Sequence, residues 1–183
     1  LIGFDTGPGN ALMDNFTKSI SNNYYDENGI IASKGIPNKK IVKKFINHIY
    51  FKKLPPKSLD RNSFISFYNE LINYHLSISD TMATLAEITV ESIAISLNLL
   101  PKKIESILIT GGGYRNSYLI KRLKDRLDIQ FINESDLDFN FDYIESELIA
   151  FLSARSIYNL PITFPSTTGA LEASSGGTIY TYL

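Results

Sequence analysis

Ile104-Glu105-Ser106-Ile107-Leu108-Ile109-Thr110-Gly111-Gly112-Gly113-Tyr114-Arg115-Asn116 decides how the rest of this 183-residue sequence is read. Ile107, Leu108 and Ile109 form an unbroken apolar run, which predicts a buried strand over residues 104–109. The run ends in three glycines, which remove every side chain from one surface of the loop. Helical spacing follows at once. Leu119, Ile120, Leu123 and Leu127 point one way, and Lys121, Arg122, Lys124 and Arg126 point the other. A second short strand is expected at Ile129-Gln130-Phe131-Ile132. Strand, glycine loop, helix and strand predict an α/β layered domain, in which ligands gather where strands end and loops begin.

The same pattern opens the chain. Leu1-Ile2-Gly3-Phe4 reads as a short strand, and Asp5-Thr6-Gly7-Pro8-Gly9-Asn10 as a glycine turn. Leu12, Met13, Phe16 and Ile20 then share a helical face. Residues 22–33 read as loop. Residues 36–51 read as a helix, with Pro37 near its start and Ile41, Val42, Phe45, Ile46 and Ile49 on one side. Pro55 and Pro56 stop any helix over residues 53–58. Another helix is expected over 63–76. Asp80 is the expected N-cap of the next, whose stripe runs through Met82, Leu85, Ile88 or Thr89, Ile93 and Leu97. Asp142 is expected to cap a helix through Tyr158, with Ile144, Leu148, Phe151 and Leu152 packed. The tail from Pro161 reads as loop with a final strand over residues 179–182.

Composition bounds the function. A hydrophobic fraction of 44% and a charged fraction of 20% suit a soluble domain, with at most a small appended piece. A net charge of −1 provides no strong field for nucleic acid or a membrane surface. No apolar run approaches the roughly 20 residues of a membrane span. The absence of cysteine excludes disulfides and thiol chemistry and suits a cytoplasmic protein. Two histidines, His48 and His75, argue against a histidine-rich metal site, and no metal-ligating residues are assigned. The first residue, Leu1, falls inside an expected strand, which suggests a piece of a longer chain.

Several residues suit chemistry, each with a plainer alternative. Asp5, at a strand end facing a glycine loop, suits a general base, while Gly7 and Gly9 offer amides to anionic oxygens. Alternatively Asp5 caps the turn and the glycines serve its geometry. Gly111, Gly112 and Gly113 could receive a nucleotide or phosphate, or simply allow tight strand-to-helix packing. They match neither a Walker A loop nor a dinucleotide fingerprint. Lys57, behind two prolines, could reach a phosphate or be solvated. Glu145 could point into a ligand crevice or complement a helix dipole. Lys39, Lys40, Lys43 and Lys44 read as a solvated helix face.

In their order, several of these segments resemble the anhydro-N-acetylmuramic acid kinase family. They are Gly3-Phe4-Asp5-Thr6-Gly7-Pro8-Gly9-Asn10, Pro55-Pro56-Lys57-Ser58, Ala83-Thr84-Leu85, Gly111-Gly112-Gly113 with Asn116, Glu145 with Ala150 and Arg155, and Thr168-Gly169-Ala170. The resemblance implies a ribonuclease-H-like layered fold of the sugar kinase and actin type, with helical insertions. Residues 1–183 would be the second, carboxy-terminal domain of a two-domain kinase whose amino-terminal domain is missing here. It implies ATP and Mg2+, an amino-sugar substrate opened by water and phosphorylated at carbon 6, and a homodimer. Asp5 would be catalytic. Thr6, Gly7, Glu145 and Lys57 would meet the sugar, and Gly7, Gly9, Gly111, Gly112, Gly113 and Asn116 the phosphates and nucleotide. The chain alone would have negligible activity, because domain closure assembles such sites; the alternatives are a non-catalytic relic or binding module that retains the fold, or another sugar kinase of the same fold group. Leu59-Asp60-Arg61-Asn62, Tyr114 and Ser174-Ser175-Gly176-Gly177 depart from the family's usual pattern.

Overall fold

A computed structural model describes residues 1–137, 140–141 and 143–180. In chain order they form α1 (Ala11–Ile20), α2 (Lys39–Ile46), α3 (Ile65–Ile72), α4 (Ile78–Ser96), β1 (Ser106–Leu108), α5 (Ser117–Arg126), β2 (Gln130–Ile132), α6 (Ile144–Ile157) and α7 (Pro165–Thr168). Thr6–Lys53 and Leu59–Asn133 make a central unit. Leu1–Asp5, Leu54–Ser58 and Glu134–Leu183 make a terminal unit. The terminal unit gathers three separated segments.

The central unit is built on α4. Its small and apolar side chains let neighbours approach from nearly every side: Thr81, Met82, Ala83, Thr84, Leu85, Ala86, Ile88, Thr89 and Val90 are all buried. α1, α2 and α5 pack on it. The stretch Ile78–Leu99 is long and apolar enough to cross a membrane, contrary to the sequence expectation, but 61% of its apolar window is buried inside the protein. It also pairs Glu87 and Glu91 with α5. The Arg122 guanidinium donates to both Glu87 oxygens at 2.9 and 2.8 Å, and Arg126 to Glu91 at 2.6 and 3.2 Å. These two arginines therefore tie α5 to α4, Arg122 half-buried and Arg126 still exposed, as the four-residue repeat on both helices allows.

Caps set the helix limits. Ser77 Oγ accepts the Asp80 N–H at 3.0 Å, so Ser77, not Asp80, caps α4. Asp80 instead accepts the Ile36 N–H at 2.7 Å. That bond, with help from Ser77, holds its carboxyl below the usual range. The helix expected over 36–51 runs only over Lys39–Ile46, because Asn38 Oδ1 accepts from Lys40 and Ile41 at 3.1 and 3.2 Å. The helix expected over 63–76 contracts to Ile65–Ile72. Phe45 joins α2 to α3, its ring centroid 4.8 Å from Phe64 and 4.6 Å from Phe67. β1 and β2 are parallel, with Ile107 opposite Phe131. This parallel pair with intervening α5 supports the α/β class.

In the terminal unit the first four residues are not a strand. Gly3 N–H donates to Ser166 O at 3.1 Å and Asp5 N–H to Lys57 O at 3.0 Å, so the segment bonds to α7 and a loop, with no ladder. Thr163 and Ser174 form a lone antiparallel bridge. α6 buries no residue. Leu148 is 52% and Phe151 58% exposed, so the packing expected of them is absent. Tyr143, not Asp142, stands at the α6 N-cap; Asp142 lies outside the described residues, as do 181 and 182 of the expected last strand. Ile179 and Tyr180 have no regular structure.

Candidate active site

Two glycine loops meet in the central unit. Residues 6–10 lead directly into α1, and residues 110–116 lead from β1 into α5. The Asn10 side-chain amide lies 3.6 Å from where a Gly113 Cβ would sit, so the loops are neighbours. α1 and α5 both rest on α4, which fixes this adjacency.

The glycines are not equivalent. A Cβ on Gly7 would fall 2.5 Å from Ser92 Cβ, so packing against α4 demands glycine there. Gly111 has a φ of +74°, a backbone demand. Gly112 has neither reason: its φ is not positive, and nothing lies within 4 Å of its missing Cβ. A side chain there would obstruct only something approaching from outside. Asn116 is buried, and its Oδ1 accepts the Leu119 N–H at 2.9 Å as the α5 N-cap. Gly29 leaves room for it: a Cβ on Gly29 would come within 2.4 Å of that oxygen. Residues 22–33 read only as loop, so nothing in the sequence marked this contact.

Asp14 was also missed. It lies in the first turn of α1, its carboxylate 3.7 Å from the Arg61 guanidinium. Burial pushes its carboxyl up, against the pull of Arg61 and Lys18. Its polarity put it outside the apolar stripe, and the Arg61 partner is distant in sequence.

The terminal unit carries the remaining candidates. The backbone bond from Asp5 N–H to Lys57 O holds these two residues together. Lys57 Nζ lies 5.7 Å from the Phe4 ring centroid. Glu145 is exposed on the first turn of α6. The candidates thus divide. Asp5, Lys57 and Glu145 belong to the terminal unit; Thr6, Gly7, Gly9, Gly111, Gly112, Gly113 and Asn116 belong to the central one. Among the described residues no group of three or more His, Asp or Glu side chains could hold a metal ion. Glycine amides and hydroxyls, the groups present at the loops, suit an anion.

The family model described as anhydro-N-acetylmuramic acid kinase matches residues 1–182. The chain belongs to the anhydro-N-acetylmuramic acid kinase family. Curated relatives of that name agree. One from Zymomonas mobilis is 40% identical over 180 residues, covering 98% of this chain and 48% of the relative. One from Rhodopseudomonas palustris is 39% identical, with the same two coverages. One from Azorhizobium caulinodans is 40% identical over 182 residues, again 98% and 48%. The chain therefore spans about half the length of the curated relatives it matches. Kinases are phosphotransferases, and membership implies a fold of the sugar kinase type, in keeping with the parallel strands and crossover helix.

Proposed function

We propose that this chain is the carboxy-terminal half of a kinase that opens anhydro-N-acetylmuramic acid with water and phosphorylates it from ATP. The observation that carries this reading is the pair of adjacent glycine loops, with Gly112 unneeded by the fold and open to an incoming group. The ribonuclease-H-like layering and the two-domain architecture are part of the proposal. So is a cytoplasmic location, where ATP and a recovered cell-wall sugar would meet.

In this mechanism Asp5 accepts a proton from the water that attacks the anomeric carbon. The bond from that carbon to the bridging oxygen breaks, and the oxygen at carbon 6 takes the γ-phosphoryl group of ATP. The products are ADP and N-acetylmuramic acid 6-phosphate. Thr6, Gly7, Lys57 and Glu145 bind the sugar. Gly7 and Gly9 meet the phosphates through their amides, and Gly111, Gly112, Gly113 and Asn116 line the nucleotide. Mg2+ would arrive with the phosphates and neutralise their charge.

The other half of the relatives' length would supply the first domain. The uncovered apolar face of α6 supports this, because Leu148 and Phe151, on one side of the helix, are each more than half exposed. We place the docking of that domain on this face. ADP release with the sugar, ATP and Mg2+ tests the reading, on this chain alone and joined to the amino-terminal half of a relative. Sugar-dependent turnover only in the joined protein, lost in Asp5→Asn, is the expected result. A folded, joined protein without turnover would remove the reading.

A further inference from the structure

Three buried hydroxyls of α4 face the first glycine loop, and one of them does something the others do not. Thr89, Ser92 and Ser96 lie three and four residues apart, on one side of the helix. Each is at most 3% exposed. A buried hydroxyl on a helix ordinarily donates to the carbonyl four residues back. Ser92 does so, to Ile88 O at 2.7 Å, and Ser96 to Ser92 O at 2.7 Å. Ser96 Oγ is also 3.4 Å from Thr6 O, the longer and weaker of its two contacts. Thr89 reverses the order. Its Oγ1 is 2.7 Å from Gly9 O but 3.4 Å from its own Leu85 O. A hydroxyl has one proton, and here it goes to the loop.

The consequence lies in the next amide. In a trans peptide the carbonyl and the following N–H point in opposite directions. Anchoring Gly9 O on α4 therefore aims the Asn10 N–H away from α4. Meanwhile Gly7, set against Ser92 without room for a Cβ, keeps the loop from sliding along the helix.

We propose that Thr89 is a positioning residue: its hydroxyl holds the Gly9 carbonyl so that the Asn10 amide is presented to an anionic phosphate oxygen. This rests on the kinase reading for its ligand, but not for its geometry. Two measurements separate them. In this chain, amide hydrogen exchange over residues 6–13 should accelerate about tenfold in Thr89→Val, the size expected for one lost hydrogen bond, and stay unchanged in Thr89→Ser. In the joined kinase, Thr89→Val should raise KM for ATP by about the same factor and KM for the sugar by less, with Thr89→Ser restoring both. Should Thr89→Val lose the fold, Thr89→Ala, which leaves room for a water, takes its place. Unchanged exchange, or equal damage in Thr89→Ser, overturns the proposal. So does a rise in KM for the sugar as large as that for ATP. Faster exchange in a joined protein that turns over no sugar would keep the anchor and remove the kinase.

Discussion

α4 and α6 carry similar apolar stripes and meet opposite fates. In α4, Met82, Leu85 and Ile88 are buried to within 1% of their surface, and even Thr84 and Ser92 lie inside. In α6, Ile144, Leu148, Phe151 and Leu152 repeat the same spacing, yet no residue is buried. The difference is in what surrounds each helix. α1, α2 and α5 all pack on α4. α6 is flanked within its own unit by a short helix, a lone bridge and loop. Covering a Leu or Phe contributes about 2 kcal/mol, so the α6 face is a substantial interaction left unmade in this chain.

The sharpest way to break this comparison is truncation on both helices. Leu85→Ala should cost about 3 kcal/mol in a urea denaturation of this chain, through lost burial and a cavity. Phe151→Ala should change it by less than about 0.5 kcal/mol. In the joined kinase Phe151→Ala should instead become costly. If the two truncations cost the same in this chain, α6 is packed and the contrast fails.

A second test contrasts glycines within the loops that α4 supports. Gly7→Ala forces a methyl into Ser92 and should destabilise by about 2 kcal/mol. Gly112→Ala meets nothing and should leave the thermal midpoint unchanged, while weakening ATP binding in the joined kinase. A midpoint shift in Gly112→Ala would show that the glycine serves the fold.

The smallest effect concerns acid. Asp80 is held below its ordinary value by the Ile36 N–H. Its stabilisation is therefore complete above the unfolded carboxyl value of about 3.9 and is lost as pH falls through the lower folded value. Acid unfolding of Asp80→Asn should show a shallower slope below that pH than the parent, with the two curves parallel near neutrality. Identical acid limbs would mean the bond to Ile36 contributes nothing.

Much was legible in order and kind. Leu12, Met13 and Phe16 declared α1, the Ile107 run and Phe131 declared the paired strands, and the second glycine loop announced itself between strand and helix. Limits were less legible. Ser77 beats Asp80 as a cap because its side chain, one residue before the helix, reaches a free amide, whereas Asp80 already lies inside the first turn and its own N–H is the amide being capped. Residues 1–4 are apolar like a strand, but their amides find single carbonyls and no ladder.

Local order settled the periods, the turns and the family, because each depends on side chains within a few residues of one another. The tertiary structure decided which faces are covered and which glycines are required. It decided that Arg122 and Arg126 reach Glu87 and Glu91, 35 residues earlier in each case. It also decided that the Thr89 hydroxyl meets Gly9, 80 residues away. Such pairings depend on where distant helices lie, and spacing along the chain does not encode that position. A stripe states that a helix has an apolar face; only the neighbouring layer determines whether that face is buried.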